Sequence, residues 1–250
     1  MKKLLNSGEL GQAYRYSLIE SMWRTDAYYR NSPWRGTWKG EGGGVLLNQA
    51  PHLLDRYAWL FGMPATVMGR CDTTLHKIEV EDTASAICRH PDGAHGFIHI
   101  SANECPAVSE MVISCDRGRI TVRNGRITVN TLRDSIRQRT ANDSENWGVF
   151  EGETRNVPGE LINSPSELLN AFYGNFVDAV DGQAALMSPG SEARAAVELA
   201  NAIALSSASG NLISLPINRA DYEAFLASKG IVQDRYLSGV LEGGVLSVKV

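Results

Sequence analysis

Apolar residues change their spacing along this chain, and each change predicts a different element. Residues 2–8 predict a short helix ending at Gly8, with Gly8-Glu-Leu-Gly11 as a turn. Over residues 12–23, Tyr14, Tyr16 and Leu18 alternate with Arg15, Ser17 and Ile19, the period of a long strand. No period survives from Arg24 to Trp38, and Pro33, Gly36 and Gly40 mark an irregular loop. Helical spacing returns over residues 44–61. That helix is expected to begin near Asn48, a good N-cap that leaves Pro51 in the first turn. Leu53, Leu54, Tyr57, Leu60 and Phe61 form its buried stripe, and Gly62 ends it.

The period then drops to two, with strands expected near 65–73, 82–90, 94–103, 108–115, 118–123 and 126–132. Asn124-Gly125 between alternating runs is a hairpin signature. Pro91-Asp-Gly93 and Asp116-Arg-Gly118 mark further tight turns, so the strands are expected antiparallel and in meander order. Residues 133–165 form a long excursion, a candidate for the ligand rim. Ser164-Pro-Ser-Glu167 opens a helix running to Val180. A second runs from Pro189 or Ser191 to Ser209, with a small-residue stripe of Ala193, Ala196, Val197, Ala200 and Ile203. A strand near 211–215, a helix near 219–228 and a tail over 231–250 complete the pattern. The expected fold is α+β: a large, mostly antiparallel, open-faced sheet with helices packed on one face. Its bare face is a candidate homo-oligomer interface.

Composition narrows the classes. The chain is mildly acidic, at a formal net charge of -4, and without a basic cluster, which argues against nucleic acid as a partner. No stretch approaches the roughly 18 apolar residues of a membrane span, and a cytoplasmic location is the default. The cysteines at 71, 88, 105 and 115 show no Cys-x-x-Cys pairing and read as buried thiols among strands. No metal site is expected. His95 and His99 share a strand face but sit roughly 13 Å apart, and His76 and His90 have no recognisable partners.

The candidate chemistry lies in Glu41-Gly-Gly-Gly-Val-Leu-Leu-Asn-Gln-Ala-Pro-His-Leu-Leu-Asp55. Asn48, His52 and Asp55 are spaced to share one helix face. The glycines suit close approach of another molecule to the backbone. A lone histidine on an amphipathic helix is more often packed or solvated than catalytic. The upstream segment shifts the balance. Arg24, Tyr28, Trp34, Arg35 and Trp38 gather in a loop where core packing does not call for them. Aromatic faces beside guanidinium forks suit a polyhydroxylated or carboxylated ligand. Packing at an interface is the alternative role for the same residues.

Asn6-Ser-Gly-Glu-Leu-Gly11, Tyr28-Tyr29, Trp34-Arg-Gly-Thr-Trp38, the segment from Gly42 to Asp55, and Phe61-Gly-Met-Pro64 resemble the glucose–fructose oxidoreductase / inositol dehydrogenase (Gfo/Idh/MocA) family. Phe172-x-x-Asn175-Phe176, the Ala-rich helix and Leu215-Pro216 fit as well. The resemblance covers residues 1–230 and implies the family's C-terminal substrate-binding and oligomerisation domain. The Rossmann domain that binds NAD or NADP is not represented. Independently, the sequence has no Gly-x-Gly-x-x-Gly placed between a strand and a helix. The resemblance implies that His52 carries the hydroxyl proton of a sugar or polyol during hydride transfer. It makes Asn48 the position that orients His52, often an aspartate in relatives and here neutral, with Asp55 a second orienting group and Gln49 a substrate contact. The function expected is the substrate and assembly half of an NAD(P)-dependent oxidoreductase, working with a missing Rossmann half. The alternatives are a non-catalytic sugar-binding or oligomerisation module, or a truncated gene fragment.

Overall fold

The computed structural model describes residues 1–144, 146–157 and 165–231. Helix α1 (Lys2–Asn6) leads into strand β1 (Ala13–Trp23), as the alternation predicts. The irregular loop is more ordered than expected. It holds two short helices, α2 (Asp26–Arg30) and α3 (Trp38–Glu41). Thr25 and Thr37 cap them, each side chain accepting a backbone N–H from three residues on. Helices this short carry no hydrophobic period, so only their capping threonines signal them.

Helix α4 (Pro51–Phe61) starts later than expected. Its N-cap is Ala50, and Asn48 lies in the turn before it. Backbone bonds from Val45 to the Glu81 carbonyl and from Asn48 to the Gly44 carbonyl shape that turn. Leu53, Leu54, Tyr57 and Leu60 are buried as predicted, and Gly62 ends the helix at φ 75°.

Strands β2 (Thr66–Asp72), β3 (Thr83–Arg89), β4 (His95–Ser101), β5 (Asn103–Cys115), β6 (Gly118–Arg123) and β7 (Arg126–Leu132) match the period-two stretch. Asn124 and Gly125 take positive φ, as their hairpin requires. Helix α5 (Ile136–Asn142) and strand β8 (Gly152–Val157) fall within the long excursion. β8 is an exposed edge strand without apolar alternation, so periodicity misses it. Helix α6 (Pro165–Val180), helix α7 (Gly190–Ser209), strand β9 (Ile213–Ser214) and helix α8 (Arg219–Ser228) follow as expected. Ser164 and residues 232–250, read as a helix cap and a tail, lie outside the described residues.

The nine strands of the described residues form one sheet in the order β8-β7-β6-β5-β1-β4-β3-β2-β9. Here the meander expectation fails. β1 lies between β4 and β5, parallel to β4 and antiparallel to β5. The chain turns at Ala102 and passes over the end of β1, where the Arg24 N–H donates to the Ala102 carbonyl at 2.9 Å. A tight turn looks the same in sequence whether it closes a hairpin or straddles a third strand.

α4 and α7 cover one sheet face. Tyr16 stacks on Phe61 at 4.1 Å, and Leu18, Ile98, Ile100, Ile113 and Ile120 fill the layer beneath. The buried line of α7 is Ala196, Leu199, Ala200 and Ile203, while Ala193 and Val197 are exposed. β9 covers only the start of β2, and α7 serves the rest of that edge. Ser206 and Ser207 accept the Gly69 and Cys71 N–H groups at 2.8 Å. Of the cysteines, Cys88 and Cys115 are buried, Cys71 is half-buried and Cys105 is exposed, which corrects the expectation for the last. His90 also has a partner after all, the Tyr57 hydroxyl at 2.7 Å, and burial pushes its imidazole down from the usual range. No helix among the described residues is long and apolar enough to cross a membrane.

Gly96 lets α4 seat on the sheet. A Cβ there would lie 2.0 Å from the Tyr57 hydroxyl and 2.8 Å from Cys88 Cβ. Gly96→Ala is expected to lower stability by about 1–3 kcal/mol in denaturant unfolding. Combined with Tyr57→Phe, which removes the obstructing oxygen, it should cost less than the two changes summed.

Candidate functional site

Two adjacent carboxylates organise the region around the start of α4. Glu81 is buried, and its Oε1 accepts the N–H groups of Gly44 at 2.9 Å and Leu46 at 3.1 Å. Its own carbonyl accepts Val45 N–H at 2.9 Å. The glycine turn is therefore held by the chain itself. A Cβ on Gly44 would meet the Glu81 carbonyl oxygen at 1.9 Å. Glycine is needed for that contact rather than for approach of an external molecule. Burial raises the Glu81 carboxyl above its usual range, while the backbone donors oppose the shift.

Asp82 is fully buried. It accepts N–H groups from Thr74, Leu75 and His76 at 2.9, 3.0 and 3.0 Å. Burial alone would raise its pKa, but these donors prevail and hold it well below the carboxylate range. The His76 ring bridges Asp82 Oδ2 at 3.0 Å and the Arg24 carbonyl at 2.9 Å, and packs on Tyr29 at 4.7 Å. His76, read from the sequence as partnerless, thus ties the end of β1 to the loop before β3. Sequence reasoning missed Glu81, Asp82 and Glu41. The available signal was a pair of acids entering an otherwise apolar strand.

Five of the predicted residues fall into one patch. Tyr28 is at its centre. The Arg35 guanidinium lies 4.2 Å from the Tyr28 ring centroid and 5.1 Å from that of Trp34. The Arg24 guanidinium lies 5.3 Å from the same Tyr28 ring. Buried Gln49 donates from Nε2 to the Tyr28 hydroxyl at 3.2 Å, joining the patch to the residue two positions before α4. His52 is the second residue of α4 and is exposed, as is Asp55 one turn on. Neither side chain makes a hydrogen bond or ion pair among the described residues. Asn48 does not reach His52. It donates to Glu41 Oε1, and the other Glu41 oxygen accepts Gly36 N–H at 2.6 Å. Trp38 is drawn elsewhere. Its indole donates to the Glu79 carbonyl at 3.0 Å and meets Phe225 of α8 edge-on at 5.5 Å. It lines a separate hollow of 270 Å³ with Cys71 and Lys229.

A dinucleotide does not fit the glycine turn, because the amides of Gly44, Val45 and Leu46 already serve Glu81 and no free nest remains. Among the described residues, no group of three or more His, Cys, Asp or Glu side chains could hold a metal ion.

Residues 1–121 match the family model of the GFO/IDH/MocA C-terminal domain, which bears out the resemblance over that stretch. Among solved structures, the chain is similar to the WlbA dehydrogenase from Bordetella pertussis in complex with NADH and UDP-GlcNAcA. Identity is 26% and the TM-score 0.67, over 87% of this chain and 59% of that one. It is also similar to levoglucosan dehydrogenase in complex with NADH and levoglucosan, at 18% identity and a TM-score of 0.67, over 86% of this chain and 62% of that one. An NAD binding oxidoreductase from Klebsiella pneumoniae gives 15% identity and a TM-score of 0.68, over 87% and 62% of the two chains. The last two likenesses concern the fold alone. This chain spans 59% to 62% of the length of these structures. No curated protein matches it.

The two buried acids should respond differently to loss of charge. Asp82→Asn replaces one of the two accepting oxygens with an NH2 donor aimed at backbone N–H groups, and should cost about 2–4 kcal/mol. Glu81→Gln keeps an oxygen for both amides and mimics the neutral acid that burial favours, and should cost roughly 1 kcal/mol or less. Urea unfolding compares them; equal losses would contradict the assignment. Because the Asp82 pKa is lowered in the fold, its contribution is present above the usual carboxylate range. It is lost as pH falls through that range and below, and the Asn variant should flatten this acid dependence.

Proposed function

We propose, on the match of residues 1–121 to the GFO/IDH/MocA C-terminal domain, that this chain is the substrate and assembly half of an NAD(P)-dependent sugar or polyol oxidoreductase. Residues 1–230 are that domain in this reading, acting in the cytoplasm. The observation that carries it is exposed His52 in the first turn of α4, linked through Gln49 to the patch of Tyr28, Trp34, Arg24 and Arg35. The rings offer a face to sugar C–H groups, and the guanidinium and amide N–H groups donate to its oxygens. His52 takes or returns the hydroxyl proton, the task for which imidazole suits near neutral pH. Asp55, on the same helix face, orients it. Asn48 acts indirectly, by anchoring the turn through Glu41. Trp38 closes the far side of that turn against α8.

The Bordetella pertussis and levoglucosan enzymes were each solved with NADH. The residues described here offer no cradle for a dinucleotide, so a Rossmann half must supply NAD or NADP. The apolar side chains of α6, among them Leu168, Phe172 and Phe176, are exposed and suit docking of such a half. The open sheet face supports assembly into a homo-oligomer. Met68, Ile87 and Phe97 are cross-strand neighbours there, and Ile87 is 60% exposed. This face equally favours the second reading, a sugar-binding or oligomerisation module without redox chemistry.

Adding a family-type Rossmann half, NAD(P) and candidate sugars should give turnover, and His52→Ala should lower it about 10²–10⁴-fold. Ligand binding without turnover would leave only the second reading. Ile87→Arg should shift the chain to a smaller species in light scattering, and an unchanged mass would remove the sheet face as the interface.

A further inference from the structure

Three arginines are half-buried among the described residues: Arg24, Arg35 and Arg139. Arg139 is paired with Asp143 at 2.5 Å. Among the described residues, Arg24 and Arg35 have no carboxylate within ion-pair distance. Their remaining partners are backbone carbonyls. Arg24 donates from one terminal nitrogen to the Trp23 carbonyl at 3.1 Å, and Arg35 to the Tyr28 carbonyl at 3.2 Å. The Nε of each is shielded from solvent and hydrogen-bonded to nothing described. Both cations border one ring, that of Tyr28.

The carboxylates near this patch are committed elsewhere. Glu41 serves Gly36 and Asn48, Glu79 serves the Trp38 N–H at 3.0 Å, and Asp26 faces Arg30 at 3.8 Å. Glu20 of β1 has one unpartnered oxygen, but it forms no ion pair with either arginine. Two partly desolvated guanidinium groups against one ring lose hydration that the ring face offsets only in part, and no described carboxylate pairs with either. The backbone beneath them is held in place. Arg24 is tied through its carbonyl to His76 and through its N–H to Ala102. A fork pre-set in this way is suited to a planar or tetrahedral oxyanion.

The geometry points to an anion subsite formed by Arg24 and Arg35 over Tyr28, so that the sugar this chain takes carries a carboxylate or a phosphate. The inference rests on the sugar-binding reading and specifies its substrate class. The anion docks on the guanidinium pair, Tyr28 and Trp34 border the ring, and Gln49 leads toward His52.

The full chain is titrated calorimetrically with glucuronic acid, glucose 6-phosphate and glucose, at low and high salt. At least one anionic sugar should bind, at least tenfold tighter than glucose, and weaken with salt. The better of the two distinguishes carboxylate from phosphate. Arg35→Gln and Arg24→Gln should each weaken that ligand roughly tenfold or more, and by a clearly larger factor than they weaken glucose. Arg35→Lys, which keeps charge but loses the fork, should fall between. Melting curves confirm that the variants fold. Glucose binding as tightly as the acids, or acid binding indifferent to both glutamine variants, overturns the subsite and leaves the sugar reading standing. Tight acid binding with no turnover after reconstitution keeps the subsite and the sugar-binding reading and overturns the oxidoreductase reading instead. No binding by any of the three overturns both.

Discussion

The local structure depends on burying two neighbouring carboxylates against unpaired backbone amides. Glu81 and Asp82 stand where the loop before β3 enters the sheet. Glu81 reaches back to the turn before α4, and Asp82 to residues 74–76 just upstream of it. Each carboxylate would be costly to bury alone, and each set of amides would be costly to leave unmade. Together they cancel, and two segments far apart in sequence are locked to one strand. His76 extends the lock to the end of β1.

That lock orders the candidate patch. The segment after β1 cannot bury a continuous apolar face, so its rings and guanidinium groups stay at the surface. They are ordered by the Tyr29–His76 contact beneath and the Gln49–Tyr28 bond beside them. α4 starts directly afterwards, with His52 exposed while Leu53 and Leu54 are buried. One helix thereby serves the core on one side and presents His52 to solvent on the other. The sheet divides the same way. Residues of β1 and β3–β7 alternate between a layer covered by α4 and α7 and an open face. The candidate patch, the helical cover and the open face thus lie on different surfaces.

Much of this was legible in the sequence. Elements with a strong period were found close to their ends: β6 and β7 around Asn124-Gly125, α8 between Arg219 and Ser228, α7 up to Ser209. Elements without a period were not. α2 and α3 rest on threonine caps, and β8 is a polar edge strand. The patch was half legible. Tyr28, Trp34, Arg24, Arg35 and Gln49 meet as a cluster of their types suggests, whereas Trp38, equally aromatic, turns toward Phe225. Composition cannot say which way a ring points.

By itself the sequence determined the alternation that makes a sheet, the helices that cover one face of it, and the residues whose chemistry stood out. These follow from local spacing, because burial on one face imposes a period of two or 3.6. Only the tertiary structure decided that β1 slips between β4 and β5, that Asn48 serves Glu41 instead of His52, and that Glu81 fills the space against Gly44. It also left Arg24 and Arg35 without counter-charges among the described residues. Each of these is a contact between distant segments, fixed by which buried donors and acceptors must find one another. No window of neighbouring residues contains that information.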